Sequence, residues 1–366
     1  HPDANHNMGV LAVGVGKAQE ALPFFKIALE ANSSISQYWL SCIDALIKLD
    51  RIVDAKYVLD QAKAKGVKGK AFDELKQRLD APNKVSIEPP QNQLNTLINL
   101  HQQGQLQQAL DSAKQLLKQF PNSFNLYNNQ GAVHAGLGQF NAAIDSYKQA
   151  LKIKPDYAQA YSNMANALRD KGDLDASIDS CKQALKIKPD YAEAYNNMGL
   201  ALKAKGDLDA SIDSYKQALK IKPDIAEAYY NMGIALKDKG DLEAAIGSYK
   251  QALKIKPDHA KAYNNLGVAL NDKGDLDASI DSYKQALKIK PDYAEAYNNM
   301  GNALKVKGDL DASINSCKQA LKIKPDYAEA YNNMGNALKV KGDLDASINS
   351  CKQALKIKPD YAEAYN

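Results

Sequence analysis

The chain has 366 residues, 25% of them charged, and its 47 lysines and arginines against 43 aspartates and glutamates leave a formal charge of +4. That balance gives no electrostatic footprint for nucleic acid or for an acidic membrane surface. No apolar run approaches the length of a membrane span and no signal peptide is visible. The chain opens on His1 and stops at Asn366, partway into a further first helix, so it reads as a fragment.

Residues 1–32 look like a repeat that has lost its start: Met8-Gly9 and Gly16 keep a seven-residue glycine spacing, and Ala28-Leu29 keeps the end of a second helix. Residues 33–66 are a divergent repeat with Trp39, with Asp50 in the later glycine slot and Ala55 after it. Residues 67–80 read as one more amphipathic helix, a local cap on this block. Residues 81–90, APNKVSIEPP, carry three prolines and no periodicity, which makes them a linker or kink between a block at 1–80 and an array at 91–366. The segment 87–120 is glutamine-rich and has Gly104 seventeen residues before Pro121. From there prolines recur every 34 residues, at Pro121, Pro155, Pro189, Pro223, Pro257, Pro291, Pro325 and Pro359. Residues 325–358 repeat 291–324 letter for letter. A fixed period of this length is the mark of a solenoid, here of ten repeats plus a stub.

One copy, Lys188 to Lys222, carries the physical logic. Pro189 ends the preceding helix because it has no amide donor. Asp190 is expected to cap the next helix, with Glu193 three residues later as in a capping box. Tyr195, Met198, Gly199 and Leu202 fall on one helical face. Gly206 closes that helix, and Asp207 opens a second whose apolar face is Leu208, Ile212, Tyr215, Ala218, Leu219 and Ile221. Two such helices cannot bury their stripes alone, so neighbouring copies must stack.

Tyr195, Met198, Gly199, Leu202, Ala218 and Pro223 fall on the tetratricopeptide (TPR) signature, and 34 is that family's period. Trp39 stands where the signature has tryptophan. The chain therefore resembles a TPR protein, which implies an all-α right-handed superhelix of antiparallel helix pairs, an α-solenoid. It also implies a non-catalytic interaction scaffold whose concave groove binds an extended peptide or a partner protein.

The most informative pattern is asparagine. Asn95, Asn129, Asn163, Asn197, Asn231, Asn265, Asn299 and Asn333 share one first-helix position in eight successive repeats, and Asn7 matches them in the first. In TPR arrays this position faces the concave surface, and a row of amides there can hold a peptide backbone largely regardless of its sequence. The row is similar to the asparagine ladder in the TPR arm of O-GlcNAc transferases. The alternatives are that duplication copied a harmless polar residue, or that each asparagine bonds the next repeat. A second series at Asn128, Asn196, Asn264, Asn298 and Asn332, interrupted by Ser162 and Tyr230, would widen the polar strip.

Glu193, Glu227, Glu295 and Glu329 begin the first helices, and Arg169, Lys203, Lys237, Lys305 and Lys339 lie near their ends, with Lys261 and Asn271 breaking the two series. They form either charged lanes in the groove or caps and solvated surface. The lysine and arginine positions by which TPR co-chaperones grip a terminal carboxylate are mostly Asn and Glu here, so that clamp is not expected. The Asp-x-Asp pairs such as Asp207/Asp209 lack the further oxygens of a calcium loop and read as caps. Cys181, Cys317 and Cys351 replace the tyrosine of other copies as packed thiols; equivalent positions in adjacent repeats lie about 10 Å apart, beyond disulfide reach, which suits a reducing, cytoplasmic setting. The five histidines form no ligand spacing, and neither a nucleophile–base set nor a phosphate loop appears, so no catalysis, metal or cofactor is expected. Two other classes stay open. The arrangement resembles the front part of bacterial TPR proteins that end in a sulfotransferase or glycosyltransferase, which would make this a substrate-recruiting arm. Uncapped repeats could also associate end to end.

Overall fold

A computed structural model describes residues 1–49, 51–80 and 88–360, the side chains of 77, 78 and 80 excepted. The described residues contain helices and no strand. They fall into two compact units, His1–Pro89 and Pro90–Asn366. Most of the proposed linker, residues 81–87, lies outside the described residues, as do Asp50 and 361–366.

The first unit contains α1 (Pro2–Gly14), α2 (Ala18–Ala31), α3 (Ser36–Lys48), α4 (Ile52–Ala64) and α5 (Lys70–Asp80). Its core runs through Phe25, Trp39, Ile43, Leu46 and Leu59, and α5 adds Phe72, Leu75 and Leu79 to it. The Trp39 indole N–H donates to the Ser33 carbonyl at 2.8 Å, so its one polar atom is satisfied inside the packing.

The second unit is a run of helix pairs: α6 (Gln91–Gln102) with α7 (Leu106–Gln119), α8 (Phe124–Gly136) with α9 (Phe140–Ile153), α10 (Ala158–Lys171) with α11 (Leu174–Ile187), and α12 (Ala192–Lys205) with α13 (Leu208–Ile221). It continues through α14 (Ala226–Lys239) with α15 (Leu242–Ile255), α16 (Ala260–Lys273) with α17 (Leu276–Ile289), α18 (Ala294–Lys307) with α19 (Leu310–Ile323), and α20 (Ala328–Lys341) with α21 (Leu344–Ile357). Each second helix also packs on the first helix of the next pair, and one continuous core joins Ile212 and Tyr215 to Leu236, Tyr249 and Leu266 across three repeats. First helices of successive repeats also touch one another, as α10 touches α12 and α12 touches α14. They therefore line the inner side of the array.

Local chemistry explains each pair. Gly206 adopts φ +90°, the left-handed C-cap that other residues resist, and Asp207 N–H closes the turn on the Leu202 carbonyl at 3.0 Å. The Asp207 carboxylate then accepts from Ala210 N–H, and Asp173, Asp241, Asp275, Asp309 and Asp343 do the same in their repeats. Gly199 is required by a close approach: a Cβ there would lie 2.7 Å from the buried ring of Tyr215. Ser211, fully buried, donates to the Gly199 carbonyl at 2.7 Å and fastens the two helices together.

Two local expectations need correction. Asp190 is not the cap of α12: Lys188–Tyr191 forms a turn closed by Tyr191 N–H on the Lys188 carbonyl at 3.2 Å, with Pro189 preset for its first corner. The helix starts after Tyr191, which makes no side-chain capping bond, and Glu193 accepts instead from the Tyr191 hydroxyl at 3.1 Å. Ile221 is also not in the packing face, being 38% exposed, because it lies on the last turn, past the end of the contact with the next repeat.

Candidate functional site

The asparagine series lies along the inner, first-helix side of the second unit, and the second series stands beside it. The two are one bonded system. The side-chain amide of Asn163 donates to Asn128 Oδ1 at 3.0 Å, Asn197 to Ser162 Oγ at 3.0 Å and Asn231 to Asn196 Oδ1 at 3.5 Å. Asn265 donates to the Tyr230 hydroxyl at 3.2 Å, Asn299 to Asn264 Oδ1 at 3.2 Å and Asn333 to Asn298 Oδ1 at 2.9 Å. Each bond spans 35 residues, one more than the period, so it always ties a repeat to the one before it. Ser162 and Tyr230 fill the asparagine's role as acceptor and do not interrupt the strip.

Asn95 and Asn129 stand apart from this chain of bonds. Asn95 is exposed and accepts from Gln91 within its own helix at 2.9 Å. The residue in the acceptor position ahead of Asn129 is Leu94, whose alkyl side chain can accept nothing. Asn7 is exposed in the first unit.

The charged residues are tied to neighbours more than they form lanes. Lys203 pairs with Asp238 of the next repeat at 3.1 Å, and Arg169 pairs with Asp170 at 2.7 Å while donating to Asn166 at 3.1 Å. Glu227 faces His259 at 3.4 Å, and Glu295 accepts from Asn264 at 3.3 Å. The second aspartate of the Asp-x-Asp pairs up to Asp309/Asp311 is not a cap. It belongs to a ladder on the outer side, where Asp175 pairs with Lys205 and Asp209 with Lys239, both at 2.5 Å. Glu243 pairs with Lys273 at 2.5 Å, and Asp277 with Lys307 and Asp311 with Lys341 in the same geometry. The carboxylate hydrogen bond holds the Lys205 and Lys239 ammonium pKa above the usual lysine value. The constant spacing of 30 residues was the sequence signal for this ladder.

Cys181 and Cys317 are fully buried, and burial pushes each thiol up to about 12. Cys42 is raised to about 11 by the same cause, opposed by Arg51. All four cysteines are free thiols, but Cys351 is only half-buried. Among the described residues, no group of three or more His, Cys, Asp and Glu side chains could hold a metal ion, and no helix is long and apolar enough to cross a membrane.

Two recesses were not legible in the sequence. One, of about 910 Å³, lies in the first unit over Trp39 between α2 and α4, with Leu22, Pro23, Leu29 and Val58 in its wall. It is far more apolar than the asparagine strips and has no part in them. The other, of about 250 Å³, lies within the strips, bounded by Ser162, Asn163, Asn166, Glu193, Asn196, Asn197 and Ile225.

A family model described as "TPR repeat" matches residues 136–168, 165–206, 199–240, 235–272, 269–308 and 301–342. Models described as "Tetratricopeptide repeat" match 328–361 and 97–123. Among solved structures, the APC/C hetero-tetramer Cut9-Hcn1 aligns with 14% identity over 100% of this chain and 82% of that one, at a TM-score of 0.54. A structure of pilF from Pseudomonas aeruginosa aligns with 16% identity over 57% of this chain and 95% of that one, at 0.50. A crystal structure of MamA protein is 30% identical over 47% of this chain and 94% of its own, at 0.43. A comparison with curated protein sequences gives no match.

Proposed function

The chain belongs to the tetratricopeptide repeat family, and from that premise we propose that it is a protein-interaction scaffold that holds an extended peptide or partner segment along the inner side of the second unit. The observation that carries this reading is the bonded asparagine strip. Asn163, Asn197, Asn231, Asn299 and Asn333 each commit one amide N–H to the preceding repeat. The bond fixes the side-chain rotamer and leaves a carbonyl oxygen and a second N–H for a ligand. An amide already held in place loses little further entropy on binding, so the interlock favours a groove that is ready before the peptide arrives. The alternative expected a bond to the next repeat; the bond runs instead to the preceding one, and it engages only one of the two amide N–H groups.

The spacing suits a backbone. Helices pack about 8–10 Å apart, and an extended chain rises about 3.3 Å per residue. One asparagine would therefore meet roughly every third peptide residue. Such a register recognises main chain continuously and side chains only where the wall departs from the repeat.

The test replaces Asn197, Asn231, Asn265 and Asn299 together with alanine and measures binding of randomised extended peptides by calorimetry. Because these bonds also join repeats, circular dichroism must first show that the variant is folded. We expect binding to weaken at least about tenfold, for four lost backbone anchors at about 0.5–1.5 kcal/mol each. Unchanged affinity in a folded variant would overturn the proposal.

A further inference from the structure

In a periodic array the informative residue is the one that departs from the period. From α10 to α20 the residue before each first helix is tyrosine at 157, 191, 293 and 327, histidine at 259 and isoleucine at 225. The ring at this position sits against the second strip of the preceding repeat. The Tyr191 hydroxyl meets Ser162, the Tyr327 hydroxyl meets Asn298, and the His259 ring stacks on Tyr230 with centroids 4.8 Å apart. Ile225 has no ring and no hydroxyl. Its side chain stands at the rim of the recess of about 250 Å³ that reaches Asn196, the second-strip residue it would otherwise cover. A cavity needs only about 10–15 Å³ of such space to hold one water, so this one admits a long side chain.

The lining has a definite sign. It contains one carboxylate, Glu193, and no lysine or arginine. Of the basic side chains on the helix of Asn163, Lys171 ends the helix outside the lining, and Arg169 is occupied by Asp170 at 2.7 Å and by Asn166 at 3.1 Å. Asn163 and Asn197 each give one amide N–H to Asn128 and Ser162, which holds the side chain in place and leaves its carbonyl oxygen able to accept. The Glu193 carboxylate is the one charge in this lining, with asparagine carbonyl oxygens beside it. It matches a group that carries only donors and a positive charge, and a planar guanidinium satisfies several acceptors at once where an ammonium satisfies them less specifically.

We propose that the recess beside Ile225 is a side-chain subsite for a basic residue, arginine before lysine, of the peptide held by the asparagine strip. The inference rests on the scaffold reading above and adds to it a place in the groove where sequence is read. Glu193 supplies the charge, Asn163 and Asn197 supply acceptors, and Ile225 supplies the space.

The experiment screens the folded chain against a randomised peptide library, with Ile225→Tyr and Glu193→Gln screened alongside. Ile225→Tyr restores the residue of the preceding repeat, Tyr191, and so is compatible with the fold. The wild-type chain should enrich arginine at one peptide position about tenfold over glutamine, as a charge-assisted bond allows. That preference should vanish in both variants, while peptides lacking a basic residue bind them as before. Peptide binding with no basic preference, or a preference that survives in Ile225→Tyr, would overturn the subsite and leave the scaffold reading standing. A wild-type chain that binds no peptide at all would overturn both.

Discussion

Residues 291–324 and 325–358 have identical sequences and unequal structures. Their local devices agree: Asp309 and Asp343 cap their second helices by bonds of 3.2 Å, and Ser313 and Ser347 fasten the pairs to Gly301 and Gly335 at 2.7 and 2.8 Å. Their burial does not agree. Ile314 is 7% exposed and Ile348 is 53% exposed, Cys317 is buried and Cys351 half-buried. In the first copy α19 lies against α20 of the next repeat, whereas no described helix follows α21. A helix pair is thus a local product of its 34 residues, but its core is completed by the neighbour, as expected when stability is a sum of repeat and interface terms.

Several measurements would break or sharpen this comparison. The largest contrast should be chemical. Alkylation of the 366-residue chain, with no repeat added after α21, should modify Cys351 at least roughly a hundredfold faster than Cys317, whose thiol is buried and raised to about 12. Peptide mapping of the labelled chain reads this directly, and equal rates would mean that the last repeat is packed like the one before it. Next come stability effects. In the same 366-residue chain Ile314→Ala should cost about 2–4 kcal/mol and Ile348→Ala less than about 1 kcal/mol, since only Ile314 is packed against a described following helix. Urea unfolding fitted to a nearest-neighbour scheme would separate them, and similar costs would refute the interface account.

A smaller effect concerns the glycine–tyrosine approach. Gly267→Ala places a Cβ 2.6 Å from the Tyr283 ring and should destabilise by about 1–3 kcal/mol. Tyr283→Cys should relieve most of that cost, because the repeat at 155–188 pairs Ala165 with Cys181 in these two positions. A double-mutant cycle with no coupling would show that the approach is not what demands glycine. The smallest effect should come from the outer ladder. Lys239→Ala removes an exposed pair with Asp209, and any shift of the urea midpoint should disappear in high salt. A salt-independent shift would mean that the ladder does more than screened surface pairing.

Much of the fold could be read in advance because the repeat is redundant. The period, the glycine at 206, the aspartate at 207 and the apolar face of Ile212, Tyr215 and Ala218 all act within a few residues, and each appears in many copies. The start of α12 was misplaced because the competing signal was a proline turn, which takes Asp190 into itself. The candidate site was legible only as two columns of asparagine. That Asn197 reaches Ser162, or Lys239 reaches Asp209, depends on how one repeat is set against the next.

By itself, the sequence determined the helix pairs, their caps, and the need for each pair to be stacked, because these follow from spacing, backbone freedom and apolar area over a short stretch of chain. The tertiary structure decided which polar groups meet between repeats, how far two identical copies are buried, and where a missing tyrosine ring leaves a space lined by Glu193 and Asn196. Those outcomes are set by distances between residues 30 to 35 positions apart, and only the stacking of one repeat on another makes such residues neighbours.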